Sequence, residues 1–495
     1  MSENSILMNI TMIAEMAASA GDRTAVTADG RSLTAAGLLR LARAAAHRFR
    51  RHPAVLYLAA NHLAYPVALF GAAVAGVPFV PLNYRLGEQQ LDELRSRHPG
   101  ALVLRPADLD SFMAETEAAA SEDPSASGPE PAAEDDPDPV AVLLYTSGTT
   151  AAPKSAVLRH RHLLAYVLNT LEFGSASEED AALVAVPPYH VAGLANLLSN
   201  LYTGRRVVYM SVFDAGEWLE TVRRERITNA LVVPTMLARI VAEVTGDDAG
   251  TPTLRNLAYG GARTPLPVLE RALRIFPDTG FVNAYGLTET ASSIAVLGPD
   301  DHREALAATD PAVRARLGSV GRALPGVEFQ IRSDDGEPLE AGRTGLVFVR
   351  GEQISGEYGG KSSLDAGGWF ATRDRGRLDA DGYLFIEGRA DDTIIRGGEN
   401  IAPAEIEDVL LAHPGIAEAA VLGVPDPEWG QRLVAVVVGE GEPEEIRRWV
   451  RERLRSSKTP DDIVFRAELP KTDTGKLLRR VLLAEMDTTL ENTRA

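Results

Sequence analysis

The chain has 495 residues, 45% of them hydrophobic and 24% charged, which is enough material for more than one core and too apolar for global disorder. Its formal net charge of −19 argues against a nucleic-acid partner, because phosphate backbones require a basic face. There is no Cys, so disulfides, thiolate metal sites and a cysteine nucleophile are excluded, and any sulfur chemistry needs an external thiol.

Met1 to Ala20 shows no basic leader ahead of an apolar stretch, and Glu3 and Glu15 interrupt it. The expectation is a cytoplasmic protein without a signal peptide. Residues 10–50 carry helical periodicity, with Ser32-Leu33-Thr34 preceding an Ala/Leu/Arg-rich helix over 35–50. A strand at 54–59 and a helix at 63–74 follow. The most apolar run, Pro66 to Leu82, contains Gly71, Gly76, Pro78 and Pro81 and is too short for comfortable membrane insertion, so it reads as a buried helix and then a strand.

Residues 115–139 are rich in Ala, Glu, Asp, Pro and Ser and read as a flexible linker or surface excursion. Beyond them, strands are expected at 140–145, 182–186, 206–210, 230–233, 256–259 and 280–283, with helices at 215–224 and 266–275. From about Gly318 the pattern turns β-rich, over 328–332, 345–350 and 383–387. After Gly388 comes a compact α+β unit, with helices at 404–412 and 443–454 around strands at 417–424 and 433–438. The fold class expected is α/β: a large multi-layer α/β N-terminal domain over 1–388, a hinge at 389–391, and a small mobile α+β C-terminal domain over 392–495.

The strand at 140–145 delivers the chain into Tyr145-Thr146-Ser147-Gly148-Thr149-Thr150-Ala151-Ala152-Pro153-Lys154. Small residues let backbone N–H groups converge on a polyphosphate, hydroxyls add donors, and Lys154 supplies charge. The Gly148-to-Lys154 spacing is that of a Walker A loop, but Pro153 stands where its second Gly belongs. A P-loop ATPase or kinase is the reading this weakens, and a Ser/Thr/Gly surface turn is the plain alternative.

The run resembles the phosphate-binding signature of the adenylate-forming superfamily, which includes acyl-CoA synthetases, aryl-acid ligases, luciferases and peptide-synthetase adenylation domains. In that family a Gly usually follows the Lys, and here it is Ser155. Further motifs follow in the family's order. By resemblance, Asn283-Ala284-Tyr285-Gly286-Leu287-Thr288-Glu289 would stack Tyr285 on adenine, bond phosphate through Thr288 and hold Mg²⁺ on Glu289. Gly260, Gly261 and Ala262 would lie between adenine and the acyl pocket. In Trp369-Phe370-Ala371-Thr372-Arg373-Asp374, Asp374 would accept from the ribose hydroxyls, with Arg373 standing where the family usually has Gly. Gly388-Arg389-Ala390-Asp391-Asp392 matches the hinge motif, with Arg389 reaching ribose or phosphate and Asp391 rotating. Gly398, in Arg396-Gly397-Gly398-Glu399-Asn400, would leave room for a pantetheine arm. Lys476, in Leu469-Pro470-Lys471-Thr472-Asp473-Thr474-Gly475-Lys476, would bring a cation to the α-phosphate. His190, in Pro187-Pro188-Tyr189-His190, would line the entrance for carboxylate and thiol.

The resemblance implies ATP and Mg²⁺ as cofactors and activation of a small carboxylic acid as its adenylate, with pyrophosphate released. Transfer to a thiol follows, with coenzyme A as the expected co-substrate. Alternatives that keep the adenylation pass the acyl group to a carrier protein or an amine, or activate another oxyanion such as nitrite; a silent binding protein of the same fold is a third class. The expected pocket segments, 190–202, 260–262 and 285–294, are small and apolar, which suits an aryl or medium aliphatic acid better than a dicarboxylate.

Overall fold

The structure is a computed structural model that describes residues 8–122, 138–146, 154–397, 399–472 and 475–494. It has a large N-terminal α/β domain and a small C-terminal one. Among the described residues the large domain holds a nine-stranded sheet with a mainly parallel core, a seven-stranded mixed sheet with as many antiparallel as parallel pairings, and a four-stranded antiparallel sheet. The nine-stranded sheet carries the parallel run Arg206–Tyr209, Ala181–Val184, Asn229–Val232, Asn256–Gly260 and Gly280–Leu287, in that spatial order. Ligands in such sheets gather beyond the carboxyl ends of the strands. There the last strand turns back through Thr288–Thr290 into the antiparallel Ser292–Leu297.

Most expected elements form within a residue or two of their expected bounds. The helix over Ala35–Phe49 begins where the Thr34 side chain accepts from the Gly37 N–H at 3.1 Å, and it buries Leu38, Leu41, Ala42, Ala45 and Phe49 along one stripe. The run Pro66 to Leu82 is a buried helix, Ala64–Ala75, followed by the strand Phe79–Pro81. Among the described residues no helix is long and apolar enough to cross a membrane.

Two expectations need correction. The helical periodicity over 10–50 is interrupted by a hairpin, Thr24–Ala28 paired with Arg31–Thr34, turning at Asp29-Gly30 with φ of 48° and 73°. Both central residues lie in the left-handed region, as the tight turns that match strand twist require. Residues 115–122 belong to the helix Leu109–Glu122, whose Phe112, Met113, Thr116 and Ala120 are buried, so its apolar stripe outweighs its acidic surface. The rest of the expected excursion up to residue 137 lies outside the described residues.

The helix His160–Thr170 seals two sheet-flanking segments through imidazoles. His160 Nδ1 accepts from the Ile10 N–H at 3.3 Å, and His162 Nδ1 accepts from the Arg159 N–H at 3.2 Å. Both rings must be neutral at that nitrogen. Burial accordingly lowers each from its ordinary 6.5 to about 4. A histidine depressed in the folded state contributes stability that is complete above the unfolded value and is lost as pH falls toward the folded one. Unfolding free energies from urea titrations between pH 8 and pH 4 should therefore fall below pH 6.5, by a few kcal/mol in total, since each tenfold change in proton affinity is worth about 1.4 kcal/mol. His160→Asn, which keeps an acceptor but cannot titrate, should flatten part of that fall.

The small domain has its own apolar clusters. One gathers Ile394, Ile401, Ile406, Leu410, Val421, Val437 and Ile446; a second, on the other face of the strands Ile416–Asp426 and Gly430–Gly439, gathers Leu422, Val434, Leu469 and Leu482. Two of the contacts between the small domain and the large one, among the described residues, frame the cavity described next. Arg263 pairs with Asp408. Gly475 sits so close to Thr235 that an added Cβ would lie 2.2 Å from its Cγ2, and its φ of 79° is one that a side chain resists.

Candidate active site

One cavity of about 2300 Å³ opens at the carboxyl ends of the central strands and continues into the junction between the domains. That exceeds a single small-molecule site and leaves room for a nucleotide together with a second substrate. Its walls include His190, Gly260, Gly261, Ala262, Tyr285, Gly286, Thr288, Glu289, Asp374, Arg389, Asp391, Lys154 and Lys476. These residues come from segments spread over more than three hundred positions. Ser147, Gly148, Thr149, Thr150 and Gly398 lie outside the described residues, as does the side chain of Thr146, whose backbone ends the strand Val140–Thr146.

At the centre, buried Asp374 receives two partners. The Tyr285 hydroxyl donates to Oδ2 at 2.5 Å, and Arg389 Nη1 donates to Oδ1 at 2.9 Å and to the Thr372 carbonyl at 3.1 Å. Burial first, and then the carboxylate of Asp374, raise the Tyr285 phenol well above its ordinary value, so it remains a donor. The Asp374 side chain is only 6% exposed. It sits where the pairing of Gly345–Gly351 with Phe370–Leu378 becomes irregular.

Arg373 settles a local question. Its φ is 64°, the left-handed conformation that glycine adopts freely. The backbone thus keeps the shape expected of a Gly at this point, at a cost of roughly 1–2 kcal/mol. The Arg373 side chain is exposed and lines the same cavity, adding a cation where the family pattern has none.

Glu289 is held by a strained turn. Ala291 and Ser292, which follow it, have φ of 56° and 139°, and the Glu289 carbonyl accepts from the Ser355 N–H at 2.9 Å. Its carboxylate accepts from the Tyr358 hydroxyl. Tyr358 also lies under Lys154, whose Nζ is 5.9 Å from the ring centroid. Sequence reasoning missed Tyr358; its setting among Gly356, Gly359 and Gly360 was the available signal. Among the described residues no three His, Cys, Asp or Glu side chains cluster as metal ligands. A divalent cation here would rely on Glu289 and on phosphate oxygens, a donor set that suits Mg²⁺.

Gly260 has a different reason to be glycine than ligand approach. A Cβ there would meet the Ala284 carbonyl oxygen at 2.1 Å, so the close neighbour is the adjacent strand. Gly261, with φ of 87°, turns the chain away from the sheet. His190 caps the helix Val191–Thr203, and its carbonyl accepts from the Gly193 N–H at 3.0 Å. Its ring lies 4.6 Å from that of Tyr189.

Lys476 enters from the small domain. Its loop is closed by the Lys476 N–H donating to Thr472 Oγ1 at 3.0 Å and the Thr472 N–H donating to the Lys476 carbonyl at 2.8 Å. Burial in the junction, then the nearby positive charge of Arg389, lower the pKa of its ammonium, while Asp374, Asp392 and Glu289 oppose the shift. A cation from one domain thus feels the carboxylates of the other.

The family model described as AMP-binding enzyme matches residues 13–358, and that described as AMP-binding enzyme C-terminal domain matches residues 405–476. The chain belongs to the AMP-binding enzyme family. A feruloyl-CoA synthase from an Amycolatopsis species is 37% identical to this family member over 92% of this chain and 94% of its own length. A fatty acid–[acyl-carrier-protein] ligase, ScoC, from Streptomyces coeruleorubidus is 33% identical over 92% of each. Among solved structures, O-succinylbenzoate coenzyme A synthetase from Bacillus subtilis, in complex with ATP and magnesium ion, superposes with a TM-score of 0.78 at 28% identity, covering 94% of this chain and 98% of that one. This AMP-binding enzyme is an acid–thiol ligase that activates its acid with ATP.

Proposed function

We propose that this ligase activates an aryl or medium aliphatic carboxylic acid in the cavity between the domains, and that the residues above divide the work as follows. Tyr285 packs on adenine while its hydroxyl orients Asp374 for the ribose hydroxyls, and Arg389 fixes the other carboxylate oxygen. Lys154, Thr288 and the loop over Thr146, Ser147, Gly148, Thr149 and Thr150 hold the phosphates. Glu289, steadied by Tyr358, would bind Mg²⁺, which neutralises charge on the phosphate oxygens when present. The acid's carboxylate attacks the α-phosphorus, the bond to pyrophosphate breaks, and Lys476 stabilises the charge that accumulates there. His190 and Gly260 to Ala262 flank the acyl carbon.

The observation that supports this most is the reach of Lys476 from the small domain to Asp374, Arg389 and Glu289. That position blocks the side from which a thiol must come. Rotation at Asp391 would withdraw Lys476 and bring the segment around Gly398 forward for the pantetheine arm. The domain limits that go with this are 1–388, the hinge at 389–391, and 392–495. A cytoplasmic setting would provide ATP and the thiol.

Pyrophosphate release measured across a panel of aryl and aliphatic acids, with and without coenzyme A, tests the reading. It should depend on the acid, and thioester should appear only with coenzyme A. Release of inorganic phosphate in place of pyrophosphate would sink it. A second acceptor, the thiol of an acyl carrier protein, is favoured by the likeness to ScoC, and the same assay with a phosphopantetheinylated carrier would show it as a carrier-bound acyl group.

A further inference from the structure

The cavity extends further than the chemistry at Lys476 requires. One wall is a single face of the nine-stranded sheet, on which Ala182 stands beside Asn229, Asn229 beside Asn256, and Leu231 beside Ala258. The other wall is the helix Val191–Thr203, with Tyr166 and Thr170 of the preceding helix. From Val233, near the reacting end, to Asn229 is four residues of strand, or about 13 Å. Nine residues of helix, from His190 to Ser199, cover about the same length. Between these ends the lining is small and apolar, with Ala195, Leu231, Ala258 and Val282.

The far end is polar. Arg205 lines it, three residues beyond the last pocket residue expected from sequence. Its Nη1 donates to Asn200 Oδ1 at 3.3 Å, and its Nε is buried without a partner. Asp180, the acidic group whose charge reaches it, is already engaged with Arg255 at 2.9 Å and with the Ser177 N–H at 3.0 Å. Among the described residues Arg205 forms no ion pair. The Ser199 hydroxyl, buried without a partner, and Asn229, whose Oδ1 accepts from Thr228 at 2.9 Å, line the same cavity. A half-buried guanidinium whose Nε is shut away from water and which forms no ion pair among the described residues is costly, and an incoming oxyanion with two acceptor atoms would relieve that cost.

We infer that the acid carries, about 13 Å from the carboxylate that is activated, a second oxygen-bearing group, a carboxylate bound most tightly, and that Arg205 recognises it. This rests on the acid-activating reading above and reverses the expectation, drawn from the small apolar lining, that a dicarboxylate is disfavoured. An extended chain of about ten carbon–carbon bonds spans the distance.

Matched straight-chain acids of that length ending in methyl, hydroxyl or carboxylate, supplied to the wild-type enzyme with ATP, provide the test through kcat/KM for pyrophosphate release. The carboxylate-ended acid is expected to exceed the methyl-ended one by ten-fold or more. Arg205→Leu should reverse that order with the KM for ATP unchanged, and Arg205→Lys should restore part of it. A wild-type preference for the methyl-ended acid, which needs no variant to measure, would overturn the assignment while leaving acid activation standing. Failure of every acid, short aryl acids included, to elicit pyrophosphate would overturn both.

Discussion

Lys476→Ala is expected to lower adenylate formation by roughly 10²–10³-fold, the scale on which one preorganised charge stabiliser is lost. The same variant should convert chemically supplied acyl-adenylate and coenzyme A to thioester at close to the wild-type rate. The asymmetry follows from where the lysine sits: its charge faces Arg389, Asp374 and Glu289 only while the small domain is docked as here, with Gly475 against Thr235. Single-turnover measurements of the two half-reactions check this. Equal losses in both would contradict a scheme in which two domain positions serve two steps. Loss of folding is not expected to confound the result, because Lys476 lies outside the small domain's apolar clusters and its loop is held through backbone and Thr472 contacts.

Asp374→Ala should have the second largest effect, and it should show in binding as well as in rate. Removing the carboxylate takes away the acceptor of both Tyr285 and Arg389 at once. Truncating one member of a buried charge pair costs about 3–5 kcal/mol, and the 33% exposure of the Arg389 side chain reduces that here to about 2 kcal/mol. The KM for ATP should rise at least ten-fold, and the melting temperature should fall by several degrees. Asp374→Asn, which keeps an acceptor for Tyr285, should recover more of the stability than of the nucleotide affinity. An unchanged KM for ATP in both variants would remove Asp374 from the nucleotide site.

The segments that carry this site were legible in the sequence because each is contiguous and compositionally unusual. The run that ends at Lys154 stands out by residue type and spacing, whereas Tyr285 to Glu289 and Lys471 to Lys476 were picked out by their resemblance to family motifs. What joins them was not legible. The Tyr358–Glu289 and Tyr285–Asp374 hydrogen bonds connect residues far apart in the chain, and nothing local marks either partner. The hairpin at 24–34 was missed for a different reason: Asp29-Gly30 is a strong turn signal, but the apolar residues around it fit a helical period equally well. Arg205 escaped because it follows the αL glycine, Gly204, that ends the pocket helix, where a basic residue usually serves only to cap the last carbonyls. Only the tertiary placement of that helix against the sheet turns it toward a cavity.

The left-handed backbone at Arg373 has a consequence for how such chains are found. A pattern that demands glycine before Asp374 would pass over this chain, although Arg373 holds a left-handed dihedral that glycine adopts freely. What the backbone needs at this position of this chain is a torsion, and a sequence alphabet records it only indirectly. Searches for related ligases that score the conformation at this position, and accept any residue able to bear it, should recover members that letter-based signatures discard.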